Sequence, residues 1–180
     1  DYFQWPWPRS VHGQLIRSLN DAGVRAIIFD VIFAGESQPE DDDEMAAAIG
    51  ESRVPVILAA TEEQVIDPRI GRVTKQLLPF DKFTQANAQV GYATMHPDSD
   101  QVLRQTRLSV NGTPSLSLQA FYALGGKVID PEKLPVSRYQ KDDPELFINY
   151  SGGTRHIYTV SYYQAIDYQD FLPPELLKDK

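Results

Sequence analysis

The chain has 180 residues, with 17 basic and 25 acidic side chains, and a formal net charge of −8. A single domain is expected, since chains usually split above roughly 250 residues, and a compact chain of this mass should expose about 8,800 Å² and bury roughly 70% of its extended surface. A hydrophobic content of 42%, with 11% aromatic, excludes a disordered chain. The acidic balance argues against nucleic acid and anionic lipid as partners, and the absence of cysteine excludes disulfides and thiolate metal sites.

Residues 8–22 predict the first helix, with Val11, Leu15, Ile16, Leu19 and Ala22 on one face of a 3.6-residue period. Pro6 and Pro8 suit its start, and Gly23 suits a left-handed C-terminal cap. Residues 24–33, VRAIIFDVIF, have the dense apolar character of a strand buried on both faces. A second helix is expected over 37–51, opened by a capping-box spacing from Ser37 to Glu40 and by Asp41, Asp42 and Asp43, whose charges favour its first turn. Residues 54–60, VPVILAA, complete a strand–helix–strand unit with parallel strands.

Residues 61–79 show no usable periodicity and read as a long loop. A short helix over 81–89 and a short strand over 91–95 follow. Residues 102–110 alternate as a strand should, and Asn111-Gly112 is a hairpin turn signal. A helix is expected over 114–124, stopped by Gly125-Gly126, then an irregular stretch over 127–144. A strand over 146–150 and a helix beginning at Ser161 complete the pattern. The expected fold class is α/β: a mixed, mainly parallel sheet flanked by helices on both faces, in one domain over 1–180. No apolar run reaches the roughly 18 residues of a membrane span. The start at Asp1-Tyr2-Phe3, without Met, reads as that of a domain trimmed at both ends, so exposed sheet edges are expected.

Asp30 falls inside an apolar strand, where an ionised carboxylate needs a partner. It is either a ligand carboxylate at the open end of a parallel sheet or a structural acid bonded to Arg9 or to a helix N-terminus. The acids at 40–44 lack the calcium-loop pattern and are explained by the helix dipole. Asp98-Ser99-Asp100 reads as a turn. His12, His96 and His156 have no zinc-binding spacing, no nucleophile elbow is present, and Ser151-Gly152-Gly153-Thr154 does not make a phosphate loop. Asn111-Gly112-Thr113 matches a glycosylation acceptor, but the following Pro114 disfavours it. In Trp5-Pro6-Trp7-Pro8-Arg9 the two indoles serve either as a pocket wall or partner surface beside an Arg9 anion fork, or as packing that seals the helix end.

Several of these strings resemble one known family, the type-two CHASE domain, an extracellular sensory module associated with cyclases and histidine kinases. The matching pieces begin with Trp5-Pro6-Trp7-Pro8-Arg9, His12 and the Leu15–Leu19 face, then Ala22-Gly23-Val24, Ile28-Phe29-Asp30-Val31-Ile32-Phe33, and Asp42 with Met45-Ala46 and Ala48-Ile49. They continue through VPVILAA, Leu78-Pro79, Gly91-Tyr92, Asp98 to Arg104, Pro114-Ser115-Leu116, Ile148-Asn149-Tyr150 and Tyr158-Thr159-Val160-Ser161. Gln101 departs from the pattern, standing where the family tends to have glycine. The resemblance implies a bacterial membrane receptor with this domain outside the cytoplasmic membrane, transmembrane helices on both sides of it, and a cytoplasmic cyclase, histidine kinase or diguanylate cyclase as output. It carries over no ligand and no binding residue.

The expected function is therefore sensory input, with no catalytic residue, cofactor or metal in this domain. The partner is an unidentified small-molecule or physical stimulus, and transmission runs through one domain or through a homodimer. Ligand contacts are expected at the carboxyl ends of the parallel strands, at Asp30, Phe33, Glu36 and Thr61, with Arg9 nearby. Trp5 and Trp7 are the interface candidates. Two other classes compete: a metal-dependent hydrolase or transferase built on Asp30 and the 40–44 acids, and a ligand-free dimerisation module.

Overall fold

A computed structural model of the chain describes residues 5–130, 133–134, 136–138, 144–153, 157–173 and 175–180. Helix α1 (Arg9–Ala22) ends as its sequence predicts, with Gly23 at φ 77° donating back to the last turn. Strand β1 (Ile27–Phe29) is shorter than expected. It lies at the edge of its sheet, with Ile27 and Phe29 buried and Ile28 46% exposed. The expectation of a strand buried on both faces is thus corrected: Ile27 and Phe29 point to the covered face, while Ile28 points to the opposite face, which is open at this position.

Helix α2 (Pro39–Gly50) follows a nine-residue loop, 30–38. Its N-cap is Gln38, with Pro39 in the first turn and no side-chain cap bond. The expected Ser37–Glu40 capping box is absent because proline at the first helical position shifts the start by two residues. Asp42 takes over that task from inside the helix, accepting the backbone N–H of Ser37 at 2.9 Å. Gly13 lets α1 and α2 approach closely: a Cβ there would lie 3.2 Å from the Glu44 carbonyl oxygen and 3.3 Å from Met45 Cα.

Strand β2 (Val56–Asp67) has two parts with different partners. Val56–Leu58 pairs parallel with β1, and Ile57–Ala60 pairs parallel with β4 (Gln89–Tyr92). From Thr61 onward it pairs instead with β3 (Gly71–Leu77) in an antiparallel hairpin. The expected long loop over 61–79 is therefore an arm of regular sheet. Its tip is closed by Asp67, whose carboxylate accepts from Arg69 N and Ile70 N, and by Gly71 at φ 85°. The arm escapes recognition because its residues beyond Ala60 are exposed or only half-buried, with none fully buried, so no regular alternation of apolar and polar residues is written.

A short helix α3 (Asp81–Gln85) leads into β4. The remaining pairings are antiparallel: β5 (Gln105–Arg107) and β8 (Val136–Arg138) flank β9 (Glu145–Phe147), and β6 (Ser109–Val110) pairs with β7 (Thr113–Pro114). Asn111 and Gly112, at φ 50° and 79°, form the two-residue hairpin turn that their sequence signals. Helix α4 (Leu116–Ala123) is capped by Ser115 and packs on β4, where Gly91 leaves room for Leu116. Helix α5 (Tyr162–Ile166) carries a complete Ser161/Gln164 capping box, and α6 (Tyr168–Phe171) follows it. Among the described residues the fold is mixed α/β with six helices and mixed strand directions. Parallel strand pairing joins β1, β2 and β4, and a single parallel bridge links Tyr92 to Ser115.

The main core joins Leu15 and Ile16 of α1, Met45, Ala48 and Ile49 of α2, Phe83 of α3, and Ile27, Phe29, Val56 and Leu58 of the parallel strands. Outside it a smaller cluster gathers Ala60, Tyr92 and Val110. The accessible surface of the chain is 12,075 Å², well above the compact expectation, and Ile66, Ile70, Val128, Ile157 and Tyr158 are each at least 70% exposed. Gln101, where the related family favours glycine, sits at φ 64° in a turn tied by the Gln101 N–H donating to the Asp98 carbonyl and by Arg104 donating to Asp98 and Asp100.

Candidate functional site

The carboxyl end of β1 opens into a cleft of about 410 Å³. One wall is the segment Trp5-Pro6-Trp7-Pro8 leading into α1, and the other is Val31, Ile32 and Phe33 of the loop after β1. Arg9 and His12 form its base, while Glu36, Ser37, Gln38 and Asp41 line its rim at the start of α2. Trp5 and Trp7 meet edge-on, with centroids 5.5 Å apart and planes at 76°. Trp7 leans on Tyr162 of α5 at 4.8 Å, and His12 packs against Phe33 at 4.9 Å. These contacts fix the indoles from behind while Trp5 stays 57% exposed.

Arg9 shapes the cleft from beneath. Its guanidinium donates to Asp42 Oδ1 at 2.6 Å, to the Gly35 carbonyl at 2.9 Å and to the Ala34 carbonyl at 3.2 Å. Its charge also lies over the Phe83 ring at 5.1 Å. Both members of the ion pair are buried, so each satisfies a charge that burial would otherwise penalise heavily. Through the two carbonyl contacts, Arg9 fastens the 30–38 loop to α1 and α2 together.

His12, only 2% exposed, shares a 2.5 Å hydrogen bond between Nδ1 and the Tyr162 hydroxyl. Burial, with the Arg9 charge nearby, pushes the imidazole down to about 4, so it is neutral at physiological pH. Burial likewise pushes the Tyr162 phenol up. The base of the cleft is therefore a neutral His–Tyr pair beside a compensated arginine.

Of the ligand residues expected from sequence, Arg9, Phe33 and Glu36 meet at this cleft, as do Trp5 and Trp7. Asp30 does not line it. It is exposed, and among the described residues it makes no side-chain hydrogen bond or ion pair. The argument that it needs a buried partner is thus corrected, because the strand ends at Phe29 and leaves Asp30 in solvent. Arg9 pairs with Asp42, not with Asp30. Thr61 lies at the root of the hairpin arm, hydrogen-bonded to Thr94 at 3.2 Å, and does not line the cleft.

The acids at 40–44 do not gather around a metal. Asp42 binds Arg9, Asp43 binds Lys82 and Glu44 binds Arg17. Among the described residues no three histidine, aspartate or glutamate side chains are grouped to hold an ion, and Asp30 is not brought together with these acids at the cleft. His156 and Thr154 lie outside the described residues. A second, smaller cavity of about 210 Å³ lies between residues 94–98 and β5, where Arg107 stands 3.8 Å from both Glu62 and Glu145.

His12 and Asp42 were not singled out from the sequence as site residues, yet their spacing carried a signal. His12 shares the inward stripe of Leu15, Ile16 and Leu19, and Asp42 stands three and seven residues before Met45 and Ile49. A polar residue on such a stripe must be bonded inside.

Fold and cleft together describe a small mixed α/β domain with a cleft whose wall carries two indoles and whose floor is a satisfied polar network. The sequence matches the family described as the CHASE2 domain over residues 1–180, and the chain belongs to that family of extracellular sensory domains. No curated protein and no solved structure matches the chain. No helix among the described residues is long and apolar enough to cross a membrane.

Proposed function

We propose that this chain is the signal-input domain of a bacterial membrane receptor, held outside the cytoplasmic membrane. It relays a stimulus through flanking membrane helices to a cytoplasmic nucleotide cyclase, histidine kinase or diguanylate cyclase. The observation that carries this reading is the family match across residues 1–180. The cleft at the end of β1 is the stimulus site, with Arg9, Phe33, Glu36, Trp5 and Trp7 around the ligand.

The relay element is α1. The cleft lies at its first turn, and its far end is tied to the chain terminus, since Asp179 N donates to the Gly23 carbonyl and Arg25 N to the Lys180 carbonyl. Fourteen helical residues make a rod about 21 Å long between these points. A ligand transmits only by binding one placement of that rod more tightly than another. In this reading the difference comes from the indole wall that leads into α1, since Arg9 holds the opposite wall, the 30–38 loop, to α1 and α2.

The experiment is to read the gene product on either side of this segment and assay it. Apolar spans of about 20 residues on both sides, with a cyclase or kinase module beyond them, support the reading. A parent protein without such spans contradicts it.

A further inference from the structure

The chemistry of the cleft narrows what it takes. We propose that it binds a small organic cation, an amine or quaternary ammonium group carrying an apolar body. This rests on the reading of the cleft as the stimulus site. Three features converge on it. Trp5 and Trp7 stand nearly perpendicular, 5.5 Å apart, and form two walls of a corner. The indole face is the strongest aromatic partner of a cation. The rim carries two carboxylates, Glu36 and Asp41, neither of which is ion-paired or hydrogen-bonded among the described residues.

The cations near the cleft are already committed. Arg9 is directed away from the opening, to Asp42 and two carbonyls, and Lys82 is bonded to Asp43, with a longer-range attraction to Glu36. His12 is neutral. The net formal charge presented to a ligand is thus negative, as it is for the chain as a whole.

An anion is the competing ligand chemistry, since both α1 and α2 begin at the cleft and a helix N-terminus carries about half a positive charge. For α2 that charge is met by Glu40, Asp41 and Asp42 in its first turn. For α1, which has no acid in its first turn, the partial charge remains, but it faces the whole carboxylate charge of Glu36, which lies outside either helix. The balance favours a cation. With apolar walls from Val31 and Ile32 beside the indoles, a bare metal ion would leave the apolar lining of the roughly 410 Å³ cleft unused, whereas an organic cation with an apolar body can contact it.

The chain has two tryptophans, and both line this cleft, so tryptophan emission reports on it alone. The experiment titrates the domain with choline, with its uncharged isostere 3,3-dimethylbutan-1-ol, and with inorganic phosphate. The expected result is a saturable emission change with choline and none with the alcohol or phosphate. Trp5→Leu and Glu36→Gln should each weaken choline about tenfold. Both side chains are exposed, and Glu36→Gln keeps both reporters, so a folded variant remains even if one substitution perturbs the fold. Equal binding of choline and the alcohol overturns the cation and leaves an apolar-ligand cleft; saturable binding of phosphate alone overturns it in favour of an anion. No response to choline also overturns it, while the sensory reading is decided separately by the membrane context of the parent protein.

Discussion

Acid should weaken this domain through one residue more than any other, His12. Its imidazole is buried and neutral, and it titrates near 4 in the fold against 6.5 when free. As pH falls, the unfolded chain takes up that proton first, so the stabilisation is complete above pH 6.5 and is lost as pH drops towards 4. At about 1.4 kcal/mol for each pH unit, the difference between pH 7.5 and pH 4.5 is about 2.5 kcal/mol. The assay is urea unfolding of the wild type and His12→Asn at both pH values. Asparagine retains a polar group beside the Tyr162 hydroxyl but cannot titrate, and acids elsewhere cancel in the comparison. The wild type should lose about 2.5 kcal/mol more than the variant over that interval. Equal losses in the two proteins would refute the buried neutral imidazole.

Three further outcomes follow from the packing. Asp42→Asn leaves the Arg9 guanidinium buried without its counter-charge and should cost about 3 kcal/mol, with most of it recovered in the double variant Arg9→Met, Asp42→Leu; thermal melts of the three proteins check this. Gly91→Ala places a Cβ 2.6 Å from Leu116 Cα, a backbone atom, so α4 must lift from β4 at a cost of about 1–3 kcal/mol, read from the urea midpoint. Gln101→Gly relieves a left-handed backbone at φ 64° and should leave stability unchanged or raise it by up to about 1 kcal/mol, whereas a clear loss would mean that the side chain holds the turn.

How far the fold could be read in advance depended on whether burial left a pattern in the residues. Helix α1 was legible because one face is apolar and Gly23 ends it, and the Asn111-Gly112 turn because both positions need positive φ. The apolar run around Ile28 misled, since hydrophobicity alone does not distinguish a central strand from an edge strand. The hairpin arm beyond Thr61 was invisible because its stability comes from cross-strand pairing of exposed residues, which writes no alternation. At the site, the general rule that ligands bind at the carboxyl ends of parallel strands pointed to Phe33 and Glu36, which line the cleft, and to Thr61, which does not, because β2 continues past its parallel part into the arm. Asp42 was assigned to dipole capping when its position on the Met45–Ile49 stripe demanded a buried partner.

The extracellular placement of the domain is the claim on which the account rests. The chain has no cysteine, and Ile70 at the tip of the hairpin arm is 73% exposed, so Ile70→Cys in an otherwise cysteine-free parent protein gives a single accessible thiol in this domain. A membrane-impermeant maleimide applied to intact spheroplasts should label it to the same extent before and after lysis. Labelling that appears only after lysis would place the domain in the cytoplasm and contradict the account.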